Sequence, residues 1–215
     1  MRTISQVVEE VIQNSPFLAE AIVEGIANNA QIARRIKPDV ERRLLEKVSE
    51  ASVAMALHRL GKQIRRPHFG EKMLKQVNDI TVRSSLVEFV FSNSDAPELL
   101  DALLAAAKKR RDTFVNLSRG LHESLLVVSQ EFESDIADVL HKQKNLRRKD
   151  NLSAITMHLP KTSLNVPGIY YPILKALAWE GISFVEVMSV DTEFSILFAD
   201  KDVDRAFSVL KRVTS

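Results

Sequence analysis

The side chains that could do acid–base or metal chemistry here are five histidines, His58, His68, His122, His141 and His158, scattered along 215 residues. None has a second histidine or a carboxylate at helical ligand spacing with a glutamate base between, the arrangement a zinc hydrolase requires. Cysteine is absent, which removes thiolate nucleophiles, thiolate zinc sites and disulfides together. No G-x-S-x-G turn is present to present a nucleophilic serine. The six glycines, 25, 61, 70, 120, 168 and 181, never cluster, and average usage would give about fifteen. Neither a phosphate-cradling loop nor a dinucleotide fingerprint can be written from them. We assign no catalytic residue, metal ligand or cofactor, and read the chain as a binding and regulatory protein, not an enzyme.

Composition agrees with a globular chain: 45% hydrophobic, 27% charged, formal net charge +2. No apolar run approaches the roughly 18 residues a membrane span needs. The opening MRTISQVVEE turns acidic where a secretory signal would stay apolar, so a cytoplasmic protein with no membrane partner is expected.

The elements that must position any binding residue fall into three parts, expected at 1–75, 78–143 and 150–215. The first reads as helical. Ile4, Val7, Val8, Val11 and Ile12 have the three-and-four spacing of one buried face. Ser15-Pro16 opens a second helix that Gly25 closes. A third buries Ile32 and Ile36 and is expected to break at Lys37-Pro38 before a short turn through Val40 and Leu44. Ser49 caps a fourth, which carries Val53, Leu57 and Leu60 inward until Gly61 or the Arg65-Arg66-Pro67 stop.

Sliding the chain against itself by 70 residues places the second third on the last without a gap. Pro97 falls on Pro167, Leu104 on Leu174, Ala106 on Ala176, Phe114-Val115 on Phe184-Val185, Glu123 on Glu193, and Val139-Leu140 on Val209-Leu210. The order of elements repeats as well. In the first copy, extended segments at Val82–Phe91, Thr113–Ser118 and Glu123–Ser129 alternate with helices at Pro97–Arg110 and Ser134–Lys142. In the second, extended segments at Leu152–Leu159, Ser183–Ser189 and Glu193–Ala199 alternate with helices at Gly168–Glu180 and Asp202–Val213. Two βαββα units are therefore expected, giving an α+β chain with an all-α head. Between them the basic run Lys142 to Lys149 reads either as a solvated linker or as a nucleic-acid contact. The run Lys108 to Arg111 complements a helix dipole.

Asn165-Val-Pro-Gly-Ile169, a helix through Leu-Lys-Ala-Leu177, then Glu-Gly-Ile182 and a strand to Val-Met-Ser189 resemble an ACT domain. So does Glu193-Phe-Ser-Ile-Leu-Phe-Ala199 leading into a helix near Asp202. The similarity is greatest to the ACT domains in the regulatory half of aspartokinases, and extends faintly to the first copy. It implies ferredoxin-like modules that pair side by side and bind a small effector, usually an amino acid, at their interface. Carried over by position, Asn165, Val166, Pro167, Gly168 and Ile169 would form the effector loop, with Met188 and Ser189 lining the partner side. A glycine in the first helical turn would expose backbone N–H groups to a carboxylate. The equivalent loop of the first copy has Asn93 and Asp95, with Glu98 in place of the glycine; its extra carboxylates would repel a carboxylate and could hold an ammonium group. Neither copy contains an obvious fourth strand. The six strands must be shared or completed by another subunit, and a homodimer through the ACT sheets is expected.

Ala33 to Leu60 resembles the core of a helix-turn-helix domain, with Ser49 opening the recognition helix. Val48, Val53, Leu57 and Leu60 can face inward while Ser52, Met55, His58 and Arg59 face outward. From Gly25 to Lys75 there are twelve basic and five acidic residues. If DNA is bound, Arg34, Arg35, Arg42 and Arg43 would position the backbone and Arg59 and Lys62 would lie nearest the groove. A helical dimerisation domain with a solvated basic face fits the same pattern. The sequence thus predicts an amino-acid-sensing regulator coupled to a helix-turn-helix part, a transcriptional regulator of amino acid metabolism. The alternative is a non-catalytic subunit conferring feedback control on a metabolic enzyme.

Overall fold

In the computed structural model, residues 2–64, 70–77, 79–93, 96–108, 113–163 and 165–215 are described. The chain divides into two compact units, Met1–Pro67 and His68–Ser215. The first unit holds α1 (Ile4–Gln13), α2 (Pro16–Val23), α3 (Asn29–Leu44) and α4 (Glu50–Gln63). Thr3 and Gln6 form a reciprocal cap on α1, and Val7, Val8, Val11 and Ile12 are buried as the spacing requires. The expected break at Lys37-Pro38 does not occur: α3 runs through Pro38 as one helix. Ile32, Ile36, Val40 and Leu44 recur every four residues across the proline and pack into one core. Burial of that stripe outweighs a proline cost of about 3 kcal/mol. The helix stops instead at Leu45, in the left-handed region at φ 59°. Ser49 accepts from the Ser52 N–H at 3.0 Å and starts α4, which passes Gly61, where an added Cβ would lie 3.1 Å from Ile22 Cγ2 of α2.

The second unit is an α+β region. Its elements are α5 (Glu71–Leu74), β1 (Ile80–Ser92), α6 (Ala96–Ala107), β2 (Val115–Arg119), β3 (Glu123–Ser129), α7 (Glu133–Leu140), β4 (Arg147–His158), α8 (Tyr171–Trp179), β5 (Glu186–Val190), β6 (Glu193–Ala199) and α9 (Asp200–Thr214). The boundary falls at 67/68, ahead of the expected 75, because Leu74 and Val77 belong to the core beneath α8 and α9. All six strands form one sheet in the order β2-β3-β1-β4-β6-β5.

The strand order explains where the missing fourth strands are. β1 and β4 are long, 13 and 12 residues. The second half of β1, from Leu86, pairs with β3, while its first half, Ile80 to Arg83, pairs with the end of β4. Conversely, β4 pairs with β6 from Leu152 onward, while its first residues, Arg147 to Lys149, pair with β1 at Val90 to Glu88. Each run of elements therefore borrows a fourth strand from the first half of the other's long strand. The borrowed half of β4 begins inside the basic run read as a linker: Arg147 pairs with Glu123 at 2.8 Å and Arg148 with Glu133 at 2.9 Å. Ser85 and Asn151, at φ 58° and 56°, lie at the register shifts in the pairing of β1 with β4. Next to them Leu86 and Leu152 face each other in the register.

Leu86 pairs with Ser129 and Leu152 with Ala199, so the first strands correspond at an offset of 66. β3 and β6, starting at Glu123 and Glu193, correspond at 70. The gapless slide is thus wrong at the first strand. The second run therefore has four more residues between its first strand and β5, a stretch that includes the loop carrying Pro167-Gly168.

Helices cover one face, in two clusters: Val87, Phe89 and Phe91 with α6 and α7, and Ile155, Met157 and Phe194 with α8 and α9. On the other face Leu86, Val127, Leu152, Ala154, Met188 and Leu197 form a further cluster drawn from strands of both runs. A single slip of register would exchange the two sets, so alternation fixes the pairing.

Candidate functional site

Pro160 leaves β4, a 3-10 turn spans Lys161–Ser163, and a second turn from Pro167 to Tyr170 precedes α8. Gly168 occupies the left-handed region at φ 75°, so the glycine is required by the turn. It lies three residues before α8, not in its first turn. The Tyr171 N–H already donates to the Gly168 carbonyl at 2.9 Å, and Pro172 in the first turn has no N–H. The first turn of α8 therefore offers a carboxylate fewer N–H groups than the sequence implies.

Asn165, Pro167 and Gly168 are exposed, Val166 is half-buried, and Ile169 is buried in the core. The loop is tied to the sheet by Tyr170, which stacks on Phe194 at 4.2 Å between centroids. Its hydroxyl is 3.1 Å from that of Ser189. Ser189 thus reaches the end of the β4–α8 loop. Met188, the neighbouring residue on β5, packs in the cluster on the opposite face, so the two residues expected to line one side are divided between faces. In the first run, the Asn93 amide donates to the Gly120 carbonyl at 2.7 Å and accepts from Ser124 Oγ at 2.6 Å. That amide holds the β2–β3 turn; Asp95 lies outside the described residues.

Sequence reasoning missed Tyr170, whose signal was only its place beside the loop. It also missed Ser163, fully buried with its hydroxyl lacking a hydrogen-bond partner among the described residues. A third omission is the segment from Gly70. A Cβ on Gly70 would lie 2.5 Å from Ile169 Cδ1 and 3.1 Å from Ile169 Cα, so this segment rests directly on the β4–α8 loop. Among the described residues, no group of three or more His, Asp or Glu side chains could hold a metal ion.

No family model matches the sequence, and no curated protein does. Among solved structures, the chain is similar to aspartate kinase from Clostridium acetobutylicum, described as an allosteric enzyme. The identity is 10% and the TM-score 0.54, over 65% of this chain and 35% of that one. It is similar to the ligand-free regulatory subunit of aspartate kinase from Thermus thermophilus at 10% identity and TM-score 0.51, over 65% of this chain and 99% of that one. Aspartate kinase from Synechocystis matches at 13% identity and TM-score 0.52, over 64% of this chain and 27% of that one. The chain thus spans about a third of the Clostridium enzyme and nearly all of the Thermus subunit. The β-rich unit has an ACT-like fold.

Outside the ACT-like unit, the helical unit places the other candidate residues. Met55, His58, Arg59 and Lys62 are exposed on α4, with Met55 64% accessible. Ser52 is half-buried and bonded to Ser49 at 2.8 Å between hydroxyls. Several cations are engaged within the unit: Arg34 with Glu50 at 3.5 Å, Arg42 with Asp39 at 3.0 Å and Arg43 with Glu10 at 3.5 Å. Arg59 donates to Ser5 Oγ at 3.3 Å, and Arg35 is exposed. Glu50, in the first turn of α4, is the partner of Arg34 across the α3–α4 turn. No helix of the described residues is long and apolar enough to cross a membrane.

Proposed function

We propose that this chain is a non-catalytic, ligand-responsive regulator in which two ACT-type, ferredoxin-like repeats, about 78–143 and 150–215, sense an amino acid and control the helical unit. The observation that carries the reading is the mutual loan of fourth strands between β1 and β4. It joins the repeats through one pair of strands, so a ligand that alters one repeat acts on the register shared with the other. The extent of the likeness, nearly the whole of a regulatory subunit and a third of a complete kinase, supports a regulatory part over a catalytic one. In this reading the effector meets Asn165, Val166, Pro167, Gly168 and Ile169 in the second repeat, with Ser189 and Tyr170 at the end of the loop. Isothermal titration with each of the twenty amino acids should give saturable heat for one or a few. Twenty flat titrations would refute it.

The helical unit is the output. As a helix-turn-helix-like element it would approach DNA through Met55, His58, Arg59 and Lys62, with Arg35 on the backbone, and the protein would regulate transcription as a homodimer. With each repeat's fourth strand supplied within the chain, the edges left for a second subunit are those of β2 and β5. A second reading is favoured by the pairing of Arg34, Arg42 and Arg43 with carboxylates of their own unit and by the exposed Met55: the helical unit docks on a metabolic enzyme as its feedback subunit. Retention on duplex DNA that falls steeply with salt supports the first, whereas co-purification of an enzyme with no such retention supports the second.

A further inference from the structure

The segment that follows the helical unit in the chain is part of the effector loop's surroundings. Gly70 abuts Ile169, Leu74 and Val77 are buried with Leu159 and Ile169, and the His158 N–H donates to the Asp79 carbonyl at 3.2 Å. Between this connector and the start of the β4–α8 loop lies a cleft of about 600 Å³ lined by Lys75, Gln76, Asp79, His158, Leu159 and Pro160. That volume is within the roughly 300–1,000 Å³ range of small-molecule sites.

We propose that this cleft is a binding site for a small zwitterionic amino acid, and that its occupant ties the connector to the effector loop. The proposal rests on the sensing function above and locates a place where ligand occupancy reaches the chain leading to the helical unit. The lining carries one cation, Lys75, and one carboxylate, Asp79, over an apolar floor of Leu159 and Pro160. Among the described residues neither charge is in an ion pair, with each other or with a third group. Asp79 has only the Thr81 hydroxyl at 3.3 Å. A ligand with a single charge would be attracted by one of these groups and repelled by the other, whereas an α-carboxylate facing Lys75 and an α-ammonium facing Asp79 satisfy both. The imidazole of His158 is oriented by the Thr192 hydroxyl at 3.3 Å, and the Gln76 amide can serve either polar end of the ligand. One wall continues into the connector and the other into the loop that carries Pro167-Gly168.

The test uses the full chain and the amino acid giving the largest heat in a titration series of all twenty. Lys75→Met and Asp79→Asn change exposed side chains and should leave the melting temperature within a degree or so of the parent. Each should weaken binding at least tenfold. The N-acetyl derivative of the same amino acid, which lacks the ammonium, should bind weakly to the parent and be indifferent to Asp79→Asn. Amide hydrogen exchange at residues 73–80 should slow when the parent is saturated. Unchanged affinity in both variants, with binding abolished by Gly168→Asp, would overturn this site and leave the sensing function standing. Absence of heat from all twenty would remove the sensing function and this site with it.

Discussion

Glu88 occupies a position that alternation along β1 assigns to an apolar side chain, between Leu86 and Val90. It is buried, one carboxylate oxygen has no partner, and Lys149 approaches only to 3.8 Å. Burial pushes its carboxyl above the ordinary value; Lys149 opposes this and Glu186 adds to it. Because the folded chain then holds the proton more tightly than the unfolded one, the group's stabilising contribution is complete below the ordinary carboxylate range and is lost as pH rises through the elevated value. Glu88→Gln should therefore raise the melting temperature at about pH 7 and above, with the gain vanishing near about pH 4; an equal gain at both ends would contradict this. Gly70→Ala places a methyl against Ile169 at a backbone angle of φ 68°, and urea titration should show a loss of about 2–4 kcal/mol. Pro167-Gly168 was singled out by the ACT resemblance, which put the glycine at the helix start; it occupies a turn three residues before α8. Glu88 and Gly70 could not be read from the sequence, since their meaning lies in strands and loops distant in the chain.

Local signals located the elements well and joined them less well. Ser49 and Asn28 cap the helices that follow them, as hydroxyl and amide side chains do at helix starts. The proline rule failed at Pro38 because tertiary packing of a four-residue stripe overrode it. The length of β4 was hidden for a different reason. Its borrowed half, Arg147 to Asn151, is exposed and polar, the pattern of a sheet edge or a linker, so the expected strand began at Leu152. In β1 the expected strand already reached back to Val82. Leu86 and Leu152, each 1% exposed, sit where the halves meet. Leu152→Ala should cost about 2–5 kcal/mol. It should lower a single transition shared by both halves of the sheet; a split into two transitions, with one unmoved, would show that the loan of strands does not couple them.

At the scale of the molecule, two compact units and one exchanged pair of strands make a chain with one ACT-like part and one helical part. The offset of 70 holds for β3 and β6, while the first strands correspond at 66. The difference falls in a stretch that includes the loop that the ACT resemblance already singled out. The most direct test is scanning calorimetry of the full chain with and without each of the twenty amino acids. An effector at a hundred times its dissociation constant should stabilise the unit it binds by about 2.7 kcal/mol. The account predicts that, for one or a few amino acids, the transition of residues 68–215 moves upward as a single step. No shift with any of the twenty, or a shift confined to the helical unit, would contradict it.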